Sequence, residues 1–237
     1  MTGPSVREQA RTLSEGMTVD EARDVVRWPG GEVGLHDYAA LYAVPGLYEA
    51  VYVHVLGSGS PALLGAALAE VVPEPERAAR RVLDVGAGTG MVGEVLAGLG
   101  FRGVAGVDLE PAAEVALRRD RPTVYGRART LDLTALSPAD SAWLADVAPD
   151  VVTTAGAVGF GHLPVEAFEV LTWLLPPGGL CALTVARGFE QAPELAAFAR
   201  LLLGPGYDVL VRRDGVHRRS AVGELLVTAL VLSRTSS

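Results

Sequence analysis

An acidic residue that follows a glycine-rich turn by about twenty positions is the clearest chemical signal in the chain. Residues 83–90 read LDVGAGTG, and Asp108 stands in GVDLEP. Glycines let backbone approach a ligand closely, and the helix after such a turn presents free N–H groups. A carboxylate at the tip of the next strand can accept hydrogen bonds from both hydroxyls of a ribose. The pair therefore predicts a site for an adenosine-bearing cofactor.

Two cofactor classes fit this pattern. Residues 88–93, GTGMVG, match the GxGxxG turn of dinucleotide-binding folds, which supports an NAD(P)-dependent oxidoreductase. Asp84 opposes that interpretation, because its carboxylate would repel a pyrophosphate but could accept from the ammonium of an amino-acid-like ligand. Asp132, after the third predicted strand, could accept from an adenine amino group while Leu133 offers its backbone N–H. The alternative for Asp132 is an ordinary loop or helix-capping acid.

The elements that must position these residues follow from hydrophobic periodicity. From residue 81 the chain alternates strands and helices in the βαβ manner. The last two strands are joined by a polar segment, 214–223, too short for a crossover, which predicts a closing antiparallel hairpin. We therefore expect an α/β fold: a Rossmann-like, doubly wound, mostly parallel seven-stranded sheet with a C-terminal antiparallel hairpin, plus N-terminal helices.

Before the core, the pattern predicts helices over 5–28, with Thr18 capping its second half, over 36–57 and from residue 61 onward. We expect residues 1–79 to form an N-terminal helical lid and substrate segment, and residues 80–237 to form the cofactor-binding core. The apolar faces of the N-terminal helices leave a homodimer open.

Composition limits the partners. The 237 residues carry a net charge of −8, which disfavours nucleic acid, and 49% are hydrophobic, enough for a large core. The chain contains no Lys, which excludes a Lys nucleophile or Schiff base. Its one cysteine, Cys181, lies in an apolar run and is expected to be buried. No signal peptide or membrane span is visible, so we expect a cytoplasmic protein without a membrane partner.

Five motifs in order resemble class I S-adenosylmethionine-dependent methyltransferases: LDVGAGTG, VDLEP, the aspartate of LDL, PDVVTTAGA and LLPPGGLCALTV. The resemblance covers about residues 80–235. It implies that S-adenosyl-L-methionine is the cofactor and S-adenosyl-L-homocysteine the product. The residues it places around the methionine moiety and ribose are Asp84, Gly86, Ala87, Gly88, Gly90 and Asp108. Those it places at the adenine and the methyl are Leu109, Asp132, Leu133, Thr154 and Ala155.

Residues 36–52, HDYAALYAVPGLYEAVY, are similar to the Tyr-Asp-x-x-Ala-x-x-Tyr-Asp segment that precedes the core of many small-molecule methyltransferases. Such helices fold over the cofactor as a lid. The similarity implies that Tyr38 and Tyr42 contact the cofactor, with a packing role as the alternative.

Transfer of a sulfonium methyl is an in-line displacement in which positioning supplies most of the catalysis, and a base is needed only for a hydroxyl or protonated amine acceptor. His162, in the loop after the fourth core strand, is the first candidate base, and His36, next to Asp37, is the second. His217, beside Arg218 and Arg219, is expected in a solvated turn.

The expected reaction is methylation of an O, N or C atom of a small molecule, a secondary metabolite by preference, without a metal. The alternatives are the oxidoreductase and a methyltransferase-fold protein that uses its cofactor structurally for other chemistry.

Overall fold

The N-terminal unit is built around three short antiparallel strands. In the computed structural model, which describes residues 4–158, 163–221 and 223–236, helix α1 (Val6–Ser14) precedes the strands. These are β1 (Thr18–Asp20), β2 (Val25–Trp28) and β3 (Gly31–Gly34), in the order β1-β2-β3. The predicted helix over 5–28 is therefore wrong beyond Ser14. Asp24 adopts a φ of 55°, which turns the chain back and starts β2 where the helix was expected.

Helical segments complete this unit and lead to the core. They are α2 (Tyr38–Ala43), α3 (Leu47–Glu49) with its continuation as a π-helix (Ala50–Val55), α4 (Ser60–Val71) and α5 (Glu74–Arg77). The helix predicted over 36–57 is thus interrupted, at Pro45 and Gly46, where Gly46 takes a φ of 77° that favours glycine. A small core of its own holds the unit together, with Val26, Leu41, Leu47 and Val51 fully buried.

Within the described residues, the core sheet has seven strands, and five helices connect the first six of them. The strands are β4 (Arg81–Val85), β5 (Gly103–Asp108), β6 (Tyr125–Thr130), β7 (Val151–Thr154), β8 (Leu180–Ala186), β9 (Tyr207–Ser220) and β10 (Gly223–Arg234). The helices are α6 (Met91–Gly98), α7 (Pro111–Asp120), α8 (Pro138–Val147), α9 (Val165–Leu174) and α10 (Ala196–Leu202).

The strand order is β6-β5-β4-β7-β8-β10-β9. The first five of these strands run parallel, and β10 pairs antiparallel with both β8 and β9. The predicted doubly wound sheet with a closing hairpin is confirmed. Because the connections leave in opposite directions from β4 and β7, the switch point lies between these two strands, and open α/β sheets bind ligands at the carboxyl edge there.

The closing hairpin extends further than the sequence suggested. The predicted polar turn over 214–223 is wrong, since β9 continues to Ser220. Its polar residues are held by the N-terminal part of the chain: Arg218 forms an ion pair with Glu21, and His217 Nδ1 lies 2.8 Å from Ser60 Oγ. The segment predicted to be a solvated turn is therefore largely a strand, and its side chains bind residues of the N-terminal part of the chain.

Two apolar layers cover the sheet. One contains Phe168, Phe189 and Leu183, and the other contains Leu68 and Leu96, all fully buried. Cys181 is buried in the first layer, as predicted.

Within the described ranges, no single helix is long and apolar enough to cross a membrane. The segments Leu47–Val55 and Ser60–Val71 reach the length and composition only jointly, and they meet at a 78° bend.

Candidate functional site

A cavity of about 590 Å³ lies at the carboxyl ends of the central strands, beneath the N-terminal unit. Its position is the one predicted from the switch point. The predicted site residues among those that line it are His36, Tyr38, Tyr42, Gly86, Asp108, Leu109, Asp132, Leu133 and Ala155. Residues from four core strand ends and from the N-terminal unit therefore share one space.

Asp108 ends β5 and faces this cavity with its carboxylate already oriented. Its Oδ2 accepts from the backbone N–H of Gly88 at 2.8 Å, and its Oδ1 accepts from that of Glu110 at 2.9 Å. Burial raises the pKa of Asp108, partly offset by these two bonds. Each carboxylate oxygen can accept a further hydrogen bond, so Asp108 can bind a diol without losing its contacts to the glycine turn.

The glycine turn passes directly under the N-terminal unit. Gly86 and Gly88 adopt φ of 67° and 53°, which favour glycine. A Cβ on Gly88 would lie 2.9 Å from the Tyr42 hydroxyl, and one on Gly86 would lie 3.0 Å from Ala157. Only a bare backbone fits here: at Gly88 the Tyr42 hydroxyl already fills the space that a side chain would need, whereas the Gly86 backbone lines the cavity.

The part of the cavity wall that follows β5 and β6 combines an exposed acid with apolar surface. Asp132 Oδ1 accepts from the backbone N–H and the hydroxyl of Thr134 at 2.8 and 2.6 Å, and these bonds lower the Asp132 pKa. Leu133 beside it is buried, whereas Leu109 is 67% exposed at the cavity rim. An apolar surface next to a carboxylate is suited to a planar ring with an amino edge.

Asp84 does not line the cavity. It is fully buried, with Oδ2 accepting from the Tyr125 hydroxyl at 2.7 Å and Oδ1 from Thr153 Oγ1 at 2.8 Å. Burial raises its pKa to about 7, although both hydrogen bonds oppose the shift. Its carboxylate is committed to the core, so its structural role is to fix β6 and β7 against β4.

Tyr125 also explains the later glycines of the motif. Its hydroxyl accepts from the Gly93 backbone N–H at 3.0 Å. A Cβ on Gly93, Gly90 or Gly106 would lie 2.4, 2.8 or 2.9 Å from atoms of the Tyr125 ring. Two glycines of the GxGxxG spacing over 88–93 thus accommodate a buried aromatic ring, so the spacing alone does not indicate a dinucleotide at that turn.

The cavity is not lined by four further predicted residues: Ala87, Gly88, Gly90 and Thr154. Gly90 lies against Tyr125, as described above. Ala87 is buried under the turn, where its carbonyl accepts from the backbone N–H of Gly90. Thr154 is fully buried at the end of β7, and its Oγ1 has no hydrogen-bond partner within the described part of the chain. Gly88, as described above, reaches the site through the bond from its N–H to Asp108.

A cluster of tyrosines forms the roof of the cavity. Tyr38 and Tyr42 stack with centroids 6.0 Å apart, and Tyr48 packs against Tyr42 at 5.2 Å and Tyr52 at 4.5 Å. Burial raises the pKa values of Tyr42 and Tyr48 well above the usual range, so both are neutral. Tyr48 lines the cavity too, although the sequence motif singled out only the first two tyrosines.

A buried charge network attaches this roof to the core. Arg121 Nη1 lies 2.7 Å from Glu49 Oε1, and Arg121 Nη2 lies 2.9 Å from Glu94 Oε2. Glu49 also accepts from Thr89 Oγ1 in the glycine turn at 2.8 Å. Nothing in the spacing of Glu49 and Arg121 marks this pair in the sequence, since 72 residues separate them.

Of the two candidate bases, His36 lies within the described residues. His162 lies outside the described residues. His36 lines the cavity, and its Nδ1 is 2.5 Å from Asp24 Oδ1. The adjacent Asp37 instead caps α2, accepting from the backbone N–H of Ala40. Asp24 was missed because it lies twelve residues away in a segment predicted to be helical.

Comparison with known proteins supports the fold. No family model and no curated protein matches the sequence. A proposed RNA methyltransferase, PH1948 from Pyrococcus horikoshii, is 16% identical with a TM-score of 0.54, over 96% of this chain and 97% of that one. Magnesium protoporphyrin IX methyltransferase from Synechocystis PCC 6803, solved with bound SAM, is 17% identical with a TM-score of 0.50, over 72% and 78%.

A third structure comes from work on the conversion of a disulfide bond into a thioacetal group during echinomycin biosynthesis. It is 19% identical with a TM-score of 0.54, over 76% of this chain and 84% of that one. The strand order, the closing hairpin and these similarities agree, and the chain has the class I methyltransferase fold.

Proposed function

We propose that this protein is an enzyme that binds S-adenosyl-L-methionine and transfers its methyl group to a small-molecule acceptor. The carrying observation is Asp108, whose carboxylate is held at the β5 tip by two backbone N–H groups and faces a cavity beneath the tyrosine roof. Among adenosine cofactors, one without a pyrophosphate fits this site better, because the cavity is lined by four carboxyl residues, Asp37, Asp108, Glu110 and Asp132, and, within the described residues, by neither Arg nor Lys.

The residues present fit such a cofactor. Asp108 would accept from the ribose hydroxyls, and Asp132 with Leu133 would bind the adenine edge and face. The bare backbone at Gly86 and the roof at Tyr38 and Tyr42 would enclose the methionine part. When bound, the cofactor supplies a methyl already activated by a positive sulfur, so the protein's task is to orient the acceptor and exclude water.

Ala155 and Gly156 lie at the β7 end of the same cavity, where the acceptor would meet the methyl. Thr184 Oγ1 accepts from the Gly156 backbone N–H at 2.9 Å and fixes this edge. We propose a small metabolite as acceptor because the N-terminal unit covers the cavity and the net charge is −8. The chain contains no Lys, Ile or Asn, whose codons are AT-rich, and this absence indicates a GC-rich genome. On that ground we favour a secondary metabolite as the acceptor. Residues 1–79 as lid and substrate segment, a cytoplasmic location and a homodimer stay predictions.

Titration calorimetry with S-adenosyl-L-methionine, S-adenosyl-L-homocysteine and NADH tests the cofactor. We expect both adenosyl compounds to bind and NADH not to bind. Asp108→Asn should weaken binding by about tenfold or more, the size expected when charged hydrogen bonds are lost. Asp146→Asn, on the exposed face of α8, is the matched control and should bind like the wild type.

Binding of NADH alone would overturn the proposal in favour of an oxidoreductase. Labelled methyl incorporated into RNA, and into no small molecule from a metabolite extract, would instead move the acceptor to nucleic acid. Binding of the cofactor with no methyl transfer to any acceptor would favour a structural use of the cofactor.

A further inference from the structure

An imidazole and a carboxylate form a pair at the roof of the cavity, outside the cofactor contacts proposed above. His36 Nδ1 lies 2.5 Å from Asp24 Oδ1, and the same oxygen accepts from the His36 backbone N–H at 3.2 Å. Two bonds from one residue to one oxygen fix the ring. Since Nδ1–H is donated to Asp24, Nε2 is the nitrogen that can take a proton.

The backbone around Asp24 is shaped for this contact. Asp24 adopts a φ of 55°, which is uncommon for a residue other than glycine and is concentrated at functional sites. Its carbonyl accepts from the Leu35 backbone N–H at 3.1 Å, which brings residues 24 and 36 together.

Stability does not account for the pair. The side chains of His36 and Asp24 are 54% and 52% exposed, and exposed ion pairs contribute little to folding. His36 nevertheless lines the cavity, and its ring stands edge-on to Tyr38, with centroids 6.4 Å apart and an angle of 82°. Around it lie Asp37 and Tyr38, and Arg218 of β9 is close enough to act on the Tyr38 pKa.

We propose that Asp24 and His36 act as a dyad that accepts the proton of an aromatic hydroxyl, which makes a phenol-type compound the acceptor class. This inference rests on the proposed methyltransferase function. The aromatic part of the acceptor packs against the tyrosine roof, where rings meet edge-on or offset. In the step itself, the O–H bond of the phenol breaks, an N–H bond forms at His36 Nε2, and the electron pair stays on the oxygen, which becomes the nucleophile. Asp24 offsets the positive charge that develops on the imidazole.

The probe for this step is 4-nitrophenol, whose phenolate form has its own visible absorbance band. It is added to the full chain saturated with S-adenosyl-L-homocysteine, at a pH below the probe's own pKa. We expect binding to the wild type to increase the phenolate band. His36→Gln, which keeps a polar side chain but no base, should abolish the increase, and Asp24→Asn should reduce it.

We expect both variants, His36→Gln and Asp24→Asn, to fold like the wild type. Asn tolerates the left-handed backbone at position 24 as well as Asp does, and His36 is exposed. Glu32→Gln is the matched control, because it removes a carboxylate of the same N-terminal unit that pairs with Arg27 and does not line the cavity. This control should leave the phenolate band unchanged.

Three results would overturn the dyad: no binding of 4-nitrophenol to the wild type, an unchanged phenolate band in His36→Gln, or an equal loss in Glu32→Gln. Calorimetry with S-adenosyl-L-homocysteine, performed first on each variant, separates the two proposals. If the wild type fails to bind S-adenosyl-L-homocysteine, the proposed function is contradicted. If the wild type binds it but gives no phenolate signal with 4-nitrophenol, only the dyad is contradicted.

Discussion

Replacing Asp84 by Asn should change how the stability of the protein depends on pH. Asp84 is fully buried, and its two oxygens accept from the hydroxyls of Tyr125 and Thr153. Burial raises its pKa from 3.8 to about 7 in the folded chain. The asparagine of the variant keeps the size of the side chain and one accepting oxygen but cannot ionise.

The direction follows from proton binding. Between about pH 5 and about pH 7, folded Asp84 holds a proton that the unfolded chain has released, so the free energy of unfolding falls as pH rises through this window. Two pH units at about 1.4 kcal/mol each give a loss of about 2.8 kcal/mol. The Asp84→Asn variant lacks this loss, so its stability relative to the wild type should improve by that amount between about pH 5 and about pH 8.

Urea unfolding at the two pH values measures the effect. With a slope of about 3 kcal/mol per molar, the expected difference between the two proteins is about 0.9 M in the midpoint. Asp132→Asn is the control. The Asp132 pKa is lowered by hydrogen bonds from Thr134, so its contribution is lost only at more acidic pH and should not change in this window.

Parallel pH profiles for the wild type and Asp84→Asn would refute the reasoning. They would mean that Asp84 is ionised in the folded protein at neutral pH, and that Tyr125 and Thr153 stabilise the carboxylate more than burial destabilises it.

Three other substitutions have defined outcomes. Arg121→Met should destabilise the fold by about 3–5 kcal/mol, because it leaves the Glu49 carboxylate buried without its cation. Thermal unfolding measures this loss of stability, and a loss below about 1 kcal/mol would contradict a buried ion pair. Gly93→Ala should cost about 1–3 kcal/mol despite its better helix propensity, since the new Cβ meets Tyr125 at 2.4 Å. The double variant with Tyr125→Leu should cost less than the sum of the two changes, and strict additivity in urea unfolding would argue against the clash. Thr154→Val should stabilise the protein by about 1 kcal/mol, since it removes a buried hydroxyl without a hydrogen-bond partner in the described structure. If the variant instead binds S-adenosyl-L-homocysteine more weakly in calorimetry, a ligand uses that hydroxyl.

The core was predictable because its central strands, such as β5 and β8, are short apolar runs flanked by turns and helices, and this pattern is set by burial on both faces of a parallel sheet. The N-terminal unit was not. Residues 18–28 carry acids and apolar residues at spacings that suit a helix, yet the backbone at Asp24 reverses the chain into β2. The left-handed backbone of Asp24 places β2 where the helix was expected, and the hydrogen bond from the Leu35 N–H to the Asp24 carbonyl stabilises this arrangement.

The same division holds for the site. Asp108 and Asp132 were found from their places at strand ends, which topology brings to one edge. The partner of His36 depended on a β-turn, and the extension of β9 to Ser220 depended on Glu21 and Ser60 meeting its polar residues. Contacts between segments far apart in sequence leave no local pattern, and these are the ones that sequence reasoning missed.

The contacts of Tyr125 with three glycines have a consequence for evolution. Positions 93, 106 and 125 share one volume, so we expect them to change together in descendants of this chain: a larger residue at 93 or 106 should accompany a smaller one at 125. Position 84 should follow, since the buried Asp84 carboxyl accepts a hydrogen bond from the Tyr125 hydroxyl. A glycine fingerprint in such sequences would then record the shape of a side chain, and its loss would not imply the loss of a ligand.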